Sequence, residues 1–177
     1  LATIATGIEI KIPIEKIKNT LKTFTGVQRR FQTVGNFKNI TIIDDYGHHP
    51  VEISAALAAA RLLTPKSKII SIFQPHRYSR LKDLFNEFCS SFNDADHVLL
   101  LDVYSAGEEP LKGFESVDLE NGLTKYGHKN VSYVKNKKTL ITKLLNLINP
   151  NDIIICLGAG SITKIANNLE EELNNEY

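Results

Sequence analysis

The sequence contains no methionine and no tryptophan, and only two cysteines in 177 residues. A natural full-length chain begins with methionine or is processed from one, so its absence even at position 1 leads us to expect a piece of a longer protein. Trimming of a complete chain is the plainer alternative. Cys89 and Cys156 both lie in apolar runs. That argues against a disulfide framework or metal cluster and for small buried hydrophobes in a reducing compartment. No apolar run is long enough to span a bilayer. The opening LATIATGIEIKIP has no basic segment followed by an apolar one, so it does not read as a secretory signal. Charge of one sign is also missing: 21 basic against 20 acidic residues give a net +1, with no excess to attract nucleic acid or a membrane surface. There is no G-x-x-x-x-G-K-[ST] phosphate loop and no zinc-ligand spacing.

What is there suits a globular protein: 42% hydrophobic and 23% charged residues, enough for one domain with a sizeable core and a short appendage. Pro13 can open a helix, and Ile14, Ile17, Leu21 and Phe24 continue it at helical spacing over 13–25 until Gly26. Residues 31–45 read as a hairpin turning around Gly35-Asn36. From there apolar strands (69–73, 98–103, 130–134, 153–157) alternate with helices that begin at Pro50 or carry the stripes Leu81–Phe92, 115–126, Leu140–Ile148 and Ile162–Leu173. Strands apolar on both sides, alternating with helices, predict an α/β fold. We expect a Rossmann-like, open, mostly parallel sheet with one antiparallel edge hairpin and helices on both faces.

Ligands bind such sheets beyond the carboxyl ends of the strands. Four loops predicted to lie there are rich in reactive groups: DDYGHHP (44–50), QPHRYSR (74–80), VYSAGEEP (103–110) and GAGSITK (158–164). In the first loop, His48 and His49 can exchange protons near neutral pH, and Tyr46 can stack on a base or sugar. Singly, Asp45 and His49 would be read as caps of the hairpin and the helix; five such residues within seven positions favour a site. Arg77 and Arg80, three apart, would emerge on one side of a helix beginning near Ser79, placed to hold a carboxylate or phosphate. A solvated pair is the plainer reading. GAGS resembles the start of a dinucleotide fingerprint, but position 163 is Thr instead of the third glycine. Close backbone approach to some other ligand is therefore the better reading than nicotinamide or flavin.

Taken together, GVQRRFQ (26–32), DDYGHHP with Glu52, FQPHRYSR (73–80), DVYSAGEEP (102–110) and GAGSI (158–162) resemble the C-terminal domain of the Mur ligase family, in order and over nearly the whole chain. The resemblance implies a three-domain, ATP-dependent, cytoplasmic enzyme of peptidoglycan precursor synthesis and cell-wall biogenesis. Residues 1–25 would be the tail of its central ATP-binding domain, and 26–177 the Rossmann-like domain that binds the amino acid. The pair DDYGHHP and PHRYSR points to the member that joins UDP-N-acetylmuramate to L-alanine through an acyl phosphate. The tripeptide recycling ligase of the family shares an HHP loop but has a different second loop and usually Phe in place of the tyrosine. By similarity Arg30 would reach the ATP phosphates, Asp45 would hold the ribose, and Tyr46 would lie against the nucleotide. His48, Arg77 and Arg80 would face the amino acid and the acyl phosphate as catalytic and substrate-binding residues. Mg²⁺ ligands and the phosphate loop would belong to the central domain, leaving no metal site here, and the 177 residues alone would be inactive. A stand-alone Rossmann-type binding module is the reading from another class.

Overall fold

The computed structural model describes residues 1–24 and 26–177. Two short helices open the chain, α1 (Ala2–Glu9) and α2 (Ile14–Thr23), with Ile17 buried against Gly7. Pro13 is the N-cap of α2, one position earlier than expected, and α1 had no sequence signal strong enough to be foreseen. Thr25, the predicted end of that helix, lies outside the described residues.

The strands β1 (Gln32–Phe37) and β2 (Ile40–Asp45) form the antiparallel hairpin. Its turn is not at Gly35-Asn36 but at Lys38-Asn39, which take φ of 48° and 67°. Two consecutive left-handed residues match the twist of a two-residue hairpin loop, and Asn39 N–H donates to the Asn36 side chain at 3.2 Å. Gly35 instead marks a register irregularity within β1.

After β2 come α3 (Pro50–Leu63), β3 (Ile69–Phe73), α4 (Tyr78–Asp83), α5 (Phe85–Ser90) and β4 (His97–Leu100). Then follow α6 (Ser116–Lys125), β5 (Val131–Tyr133), α7 (Lys137–Leu147), β6 (Ile153–Leu157) and α8 (Ile162–Glu176). The stripe expected as one helix over Leu81–Phe92 is broken at Leu84 (φ −119°, ψ 26°), so the apolar side chains continue on a redirected axis.

The six strands run in the order β1-β2-β6-β3-β4-β5, all parallel except β1. β3 and β6 are buried at every residue, as expected of central parallel strands covered on both faces. On one face Ile53, Leu57, Leu81, Phe88, Leu119 and Leu123 from α3 to α6 form one core. On the other, Leu140 and Leu144 of α7 and Ile162, Ala166, Leu169 and Leu173 of α8 form a second. The last strand, β6, inserts between β2 and β3. The loop after β6 therefore turns to the α8 face, while those after β2 and β3 turn to the opposite one. Adjacent loops that part in opposite directions open a crevice at the carboxyl edge, which is where such sheets place ligands.

Candidate functional site

The four loops named from the sequence meet at that edge, because β2, β6, β3 and β4 are neighbours running the same way. A parallel bridge between His76 and Tyr104 continues the β3–β4 pairing into the loops, with Arg77 N–H donating to the Tyr104 carbonyl at 2.9 Å.

In the first loop two residues bond the neighbouring backbone. Asp45 is buried (8% exposed), accepting from the Phe31 and Gly47 backbone N–H groups at 2.7 Å each. Its carboxylate thus fastens the GVQRRF segment and the loop to the end of β2. His49 is the N-cap of α3, its ring accepting from Val51 N–H at 3.4 Å. Glu52 completes the capping box, accepting from both His48 N–H (3.0 Å) and His49 N–H (3.2 Å). Burial would raise the Glu52 carboxyl, but these two bonds and the nearby charges of His48 and Arg30 outweigh it, leaving the pKa below its ordinary value.

The remaining residues cluster. Tyr46 has Arg29 with its guanidinium carbon 4.8 Å from the ring centroid and Arg30 with its own at 5.5 Å, and its ring meets His48 edge-on at 5.2 Å. Arg30 is 54% exposed, at 3.8 Å from Glu52, free to reach outward. Arg29, which the sequence reading passed over, is the clasp of the rim. It donates to the Gly158 carbonyl at 2.6 Å and lies 3.7 Å from buried Asp44, joining the first loop to GAGS. Its φ of 57° had no signal in the residue type.

His48 Nδ1 lies 3.0 Å from the Tyr46 carbonyl and 3.5 Å from Glu52. Both neighbours are acceptors, so the proton sits on Nδ1 and Nε2 is left with its lone pair when the ring is neutral. His76 is the converse. Its Nδ1 is 3.1 Å from Arg80 Nη1, which can only donate, so His76 accepts there and carries its proton on Nε2. Burial, then the positive charges of Arg80, His48 and Arg77, lower the pKa of His76. The two imidazole rings are 6.0 Å apart.

Arg77 and Arg80 do not emerge together from a first helical turn. The helix begins at Tyr78, and Arg77 is its N-cap at φ 71°, exposed. Arg80 is half-buried and lies back over the loop, donating to the His76 carbonyl as well as its ring, both at 3.1 Å. Glu108 from the third loop accepts from Ser79 N–H (3.0 Å) and hydroxyl (2.6 Å), tying the acidic loop to α4.

The glycines of GAGS are explained by the protein itself. A Cβ on Gly158 would come within 2.8 Å of the Gln74 carbonyl oxygen, and one on Gly160 within 2.6 Å of Gln74 Oε1 and 2.7 Å of Tyr104 Cγ. Gln74, another residue unforeseen in the sequence, accepts from Ile162 N–H at 3.0 Å and so occupies the start of α8. The close approach that these glycines permit here is of loop to loop. Among the described residues no group of three or more His, Cys, Asp or Glu is arranged to hold a metal ion, and no helix is long and apolar enough to cross a membrane. Cys89 and Cys156 are both free and buried.

An open parallel sheet whose carboxyl edge gathers arginines, imidazoles and a tyrosine belongs to the α/β class that places its ligands at that crevice. The model of the Mur ligase glutamate ligase domain matches residues 29–160, and the chain belongs to the Mur ligase family. Among curated relatives, the UDP-N-acetylmuramate–L-alanine ligase of Paramagnetospirillum magneticum is 48% identical over 98% of this chain and 36% of its own length. That of Azorhizobium caulinodans is 49% identical over 97% and 37%. The chain thus spans little more than a third of these relatives. The crystal structure of the UDP-N-acetylmuramate-alanine ligase MurC from Thermotoga maritima superposes with a TM-score of 0.75 at 26% identity, over 98% of this chain and 36% of that one. A murein peptide ligase from Psychrobacter arcticus shares the fold, with a TM-score of 0.63 at 19% identity over 97% of this chain and 34% of that one.

Proposed function

We propose that this chain is the C-terminal part of an ATP-dependent, cytoplasmic ligase that forms the amide bond between UDP-N-acetylmuramate and L-alanine in peptidoglycan precursor synthesis. Residues 1–25 are the tail of a central domain in this reading, and 26–177 the amino-acid-binding domain. The observation that carries it is the identity of 48% to curated L-alanine ligases across nearly every residue here. The rim of His48, Arg77 and Arg80 supplies chemistry that fits it.

A carboxylate has no adequate leaving group, so ATP would supply the phosphoryl group that turns the muramyl carboxylate into an acyl phosphate. The exposed Arg30 guanidinium beside Tyr46 suits a phosphate chain and an aromatic base. Asp45 fastens that segment to the end of β2 and in this reading would also hold the ribose. The Mg²⁺ that accompanies ATP is assigned to carboxylates outside this chain. Arg77, with its exposed guanidinium, and Arg80 pair with the alanine carboxylate and the acyl phosphate. His48 offers its Nε2 lone pair to the alanine ammonium, orienting it or taking its proton as the amine attacks. The rest of the catalysis is positioning and stabilisation of negative charge. These 177 residues alone are inactive on this reading, since the phosphate-cradling loop is elsewhere.

The test is a hybrid in which the chain replaces the matching third of the Paramagnetospirillum ligase, assayed for phosphate release with ATP, Mg²⁺ and UDP-N-acetylmuramate. Release that depends on L-alanine and exceeds that with the L-alanyl-γ-D-glutamyl-diaminopimelate tripeptide by at least about tenfold (about 1.4 kcal/mol) is expected. A folded, ATP-binding hybrid that prefers the tripeptide would mark the chain as a recycling ligase.

A further inference from the structure

The arrangement around His76 has no part in the reading above. Its ring is sandwiched in function between two neighbours: it stacks on Tyr104 (centroids 5.3 Å, planes 15° apart), and its Nδ1 faces Arg80 Nη1 at 3.1 Å. Tyr104 is itself held by Gly160, whose missing Cβ leaves room for the phenol ring, and by the backbone bridge to His76. Arg80 thus has two acceptors, the His76 ring and the His76 carbonyl. Among the described residues it makes no salt bridge to a carboxylate. A guanidinium held only by neutral acceptors keeps its full charge for a substrate anion, whereas one paired with Asp or Glu would be partly neutralised.

We infer that His76 is a positioning residue: as a neutral imidazole seated on Tyr104, it locks Arg80 in the orientation that receives the substrate's carboxylate. The inference rests on the amino-acid-binding role proposed for Arg80. The lock needs the Nδ1 lone pair, so protonation of His76 both removes the acceptor and sets a second positive charge against Arg80. Besides the stacked Tyr104 phenol, the charged or titratable groups facing His76 are Arg77 and Arg80 on its own segment, His48 from the loop after β2, and Glu108 from the loop after β4. Arg80, His48 and Arg77 disfavour a charged His76, and Glu108 favours it. The lock is therefore engaged at neutral pH and opens as pH falls through a value below that of a free imidazole.

Two measurements test it. In this chain, ¹⁵N-imidazole NMR should show His76 with its proton on Nε2 and a titration below the free-imidazole range, moved upward by Arg80→Ala. A proton on Nδ1, or a titration indifferent to Arg80→Ala, overturns the lock whatever the substrate is. In the hybrid ligase, His76→Phe keeps the ring on Tyr104 but has no acceptor. It should raise KM for L-alanine about tenfold, the size of one charge-assisted hydrogen bond, with the KM for ATP unmoved. His76→Asn, which can present an amide oxygen near the Nδ1 position, should rescue that KM and abolish its rise at acidic pH. Equal loss in kcat for both variants with KM unmoved, or a KM rise at acidic pH that persists in His76→Asn, counts against the inference. A parent hybrid inactive with L-alanine sinks the proposed substrate, while the tautomer and titration of His76 still decide the lock.

Discussion

Replacing Asp45 should destabilise the ligand-free chain, and the size follows from its two bonds. Its carboxylate accepts at 2.7 Å from Gly47 N–H, within a buried contact, and at 2.7 Å from Phe31 N–H, in a partly buried one. Removing a partner so that a buried N–H is left unsatisfied costs about 1–3 kcal/mol. The Gly47 donor should lose roughly 2 kcal/mol and the Phe31 donor, which water can reach, roughly 1. Asp45→Ala should therefore lose about 3 kcal/mol, a large fraction of the stability of an ordinary domain. Phe31 adds to the sensitivity, since its φ of 47° is a conformation that bulky residues avoid unless the surroundings hold it. Asp45→Asn keeps one acceptor oxygen but presents an NH₂ to the other donor, and should lose about half as much. The assay is urea unfolding of the 177-residue chain followed by far-ultraviolet circular dichroism. Its midpoint should fall by about 1 M or more for Asp45→Ala, with the slope unchanged. If Asp45→Ala unfolds within about 0.5 kcal/mol of the parent, the fastening role is refuted. Asp45 would then matter only to a bound nucleotide.

The Glu52 capping box carries a pH signature: Glu52→Gln should cost about 1 kcal/mol at neutral pH. Because the folded pKa lies below the ordinary 4.5, Glu52's contribution is present above that value and is lost as pH falls through the folded one. Melting temperatures of parent and variant should therefore converge as pH falls below the ordinary carboxylate range, and a constant gap would show that the carboxylate charge is not involved. In α6, a Cβ on Gly122 would lie 2.6 Å from Cys89 Sγ and 2.9 Å from the Phe85 ring. Overpacking at about 1–3 kcal/mol outweighs the ~1 kcal/mol that alanine gains in helix propensity. Gly122→Ala should thus lower the melting temperature, partly restored by Cys89→Ala, and a stabilised variant would contradict the packing described.

Much of the layout was legible in residue order. Alternating apolar strands and amphipathic helices dictate a parallel sheet, and a parallel sheet puts its strand-to-helix loops on one edge. Residue order alone thus gathers DDYGHHP, QPHRYSR, VYSAGEEP and GAGSITK on one rim. Local chemistry went further for Pro50 and His49, which open and cap α3 by residue type alone, while the reciprocal bond from Glu52 emerged only in the structure. It failed where two conformations were near in energy locally. The hairpin could turn at Gly35-Asn36 or Lys38-Asn39, and the cross-strand pairing of Phe37 with Ile40 chose the latter. The apolar stripe 81–92 could run as one helix, but packing bent it at Leu84.

The absence of methionine, tryptophan and phosphate loop, the two apolar cysteines and the balanced charge were matters of composition, needing no fold to be read. What only tertiary structure decided is the job of each rim residue. Arg29 and Arg30 are adjacent and chemically identical, yet one clasps Gly158 across 129 positions and the other stays exposed. Asp45, a candidate ligand in sequence, spends both oxygens on backbone N–H groups, and His76, given no role of its own from the sequence, holds Arg80. The physical reason is that residue type sets which bonds a side chain can make, while the partners that take them are delivered by strands far apart in the chain.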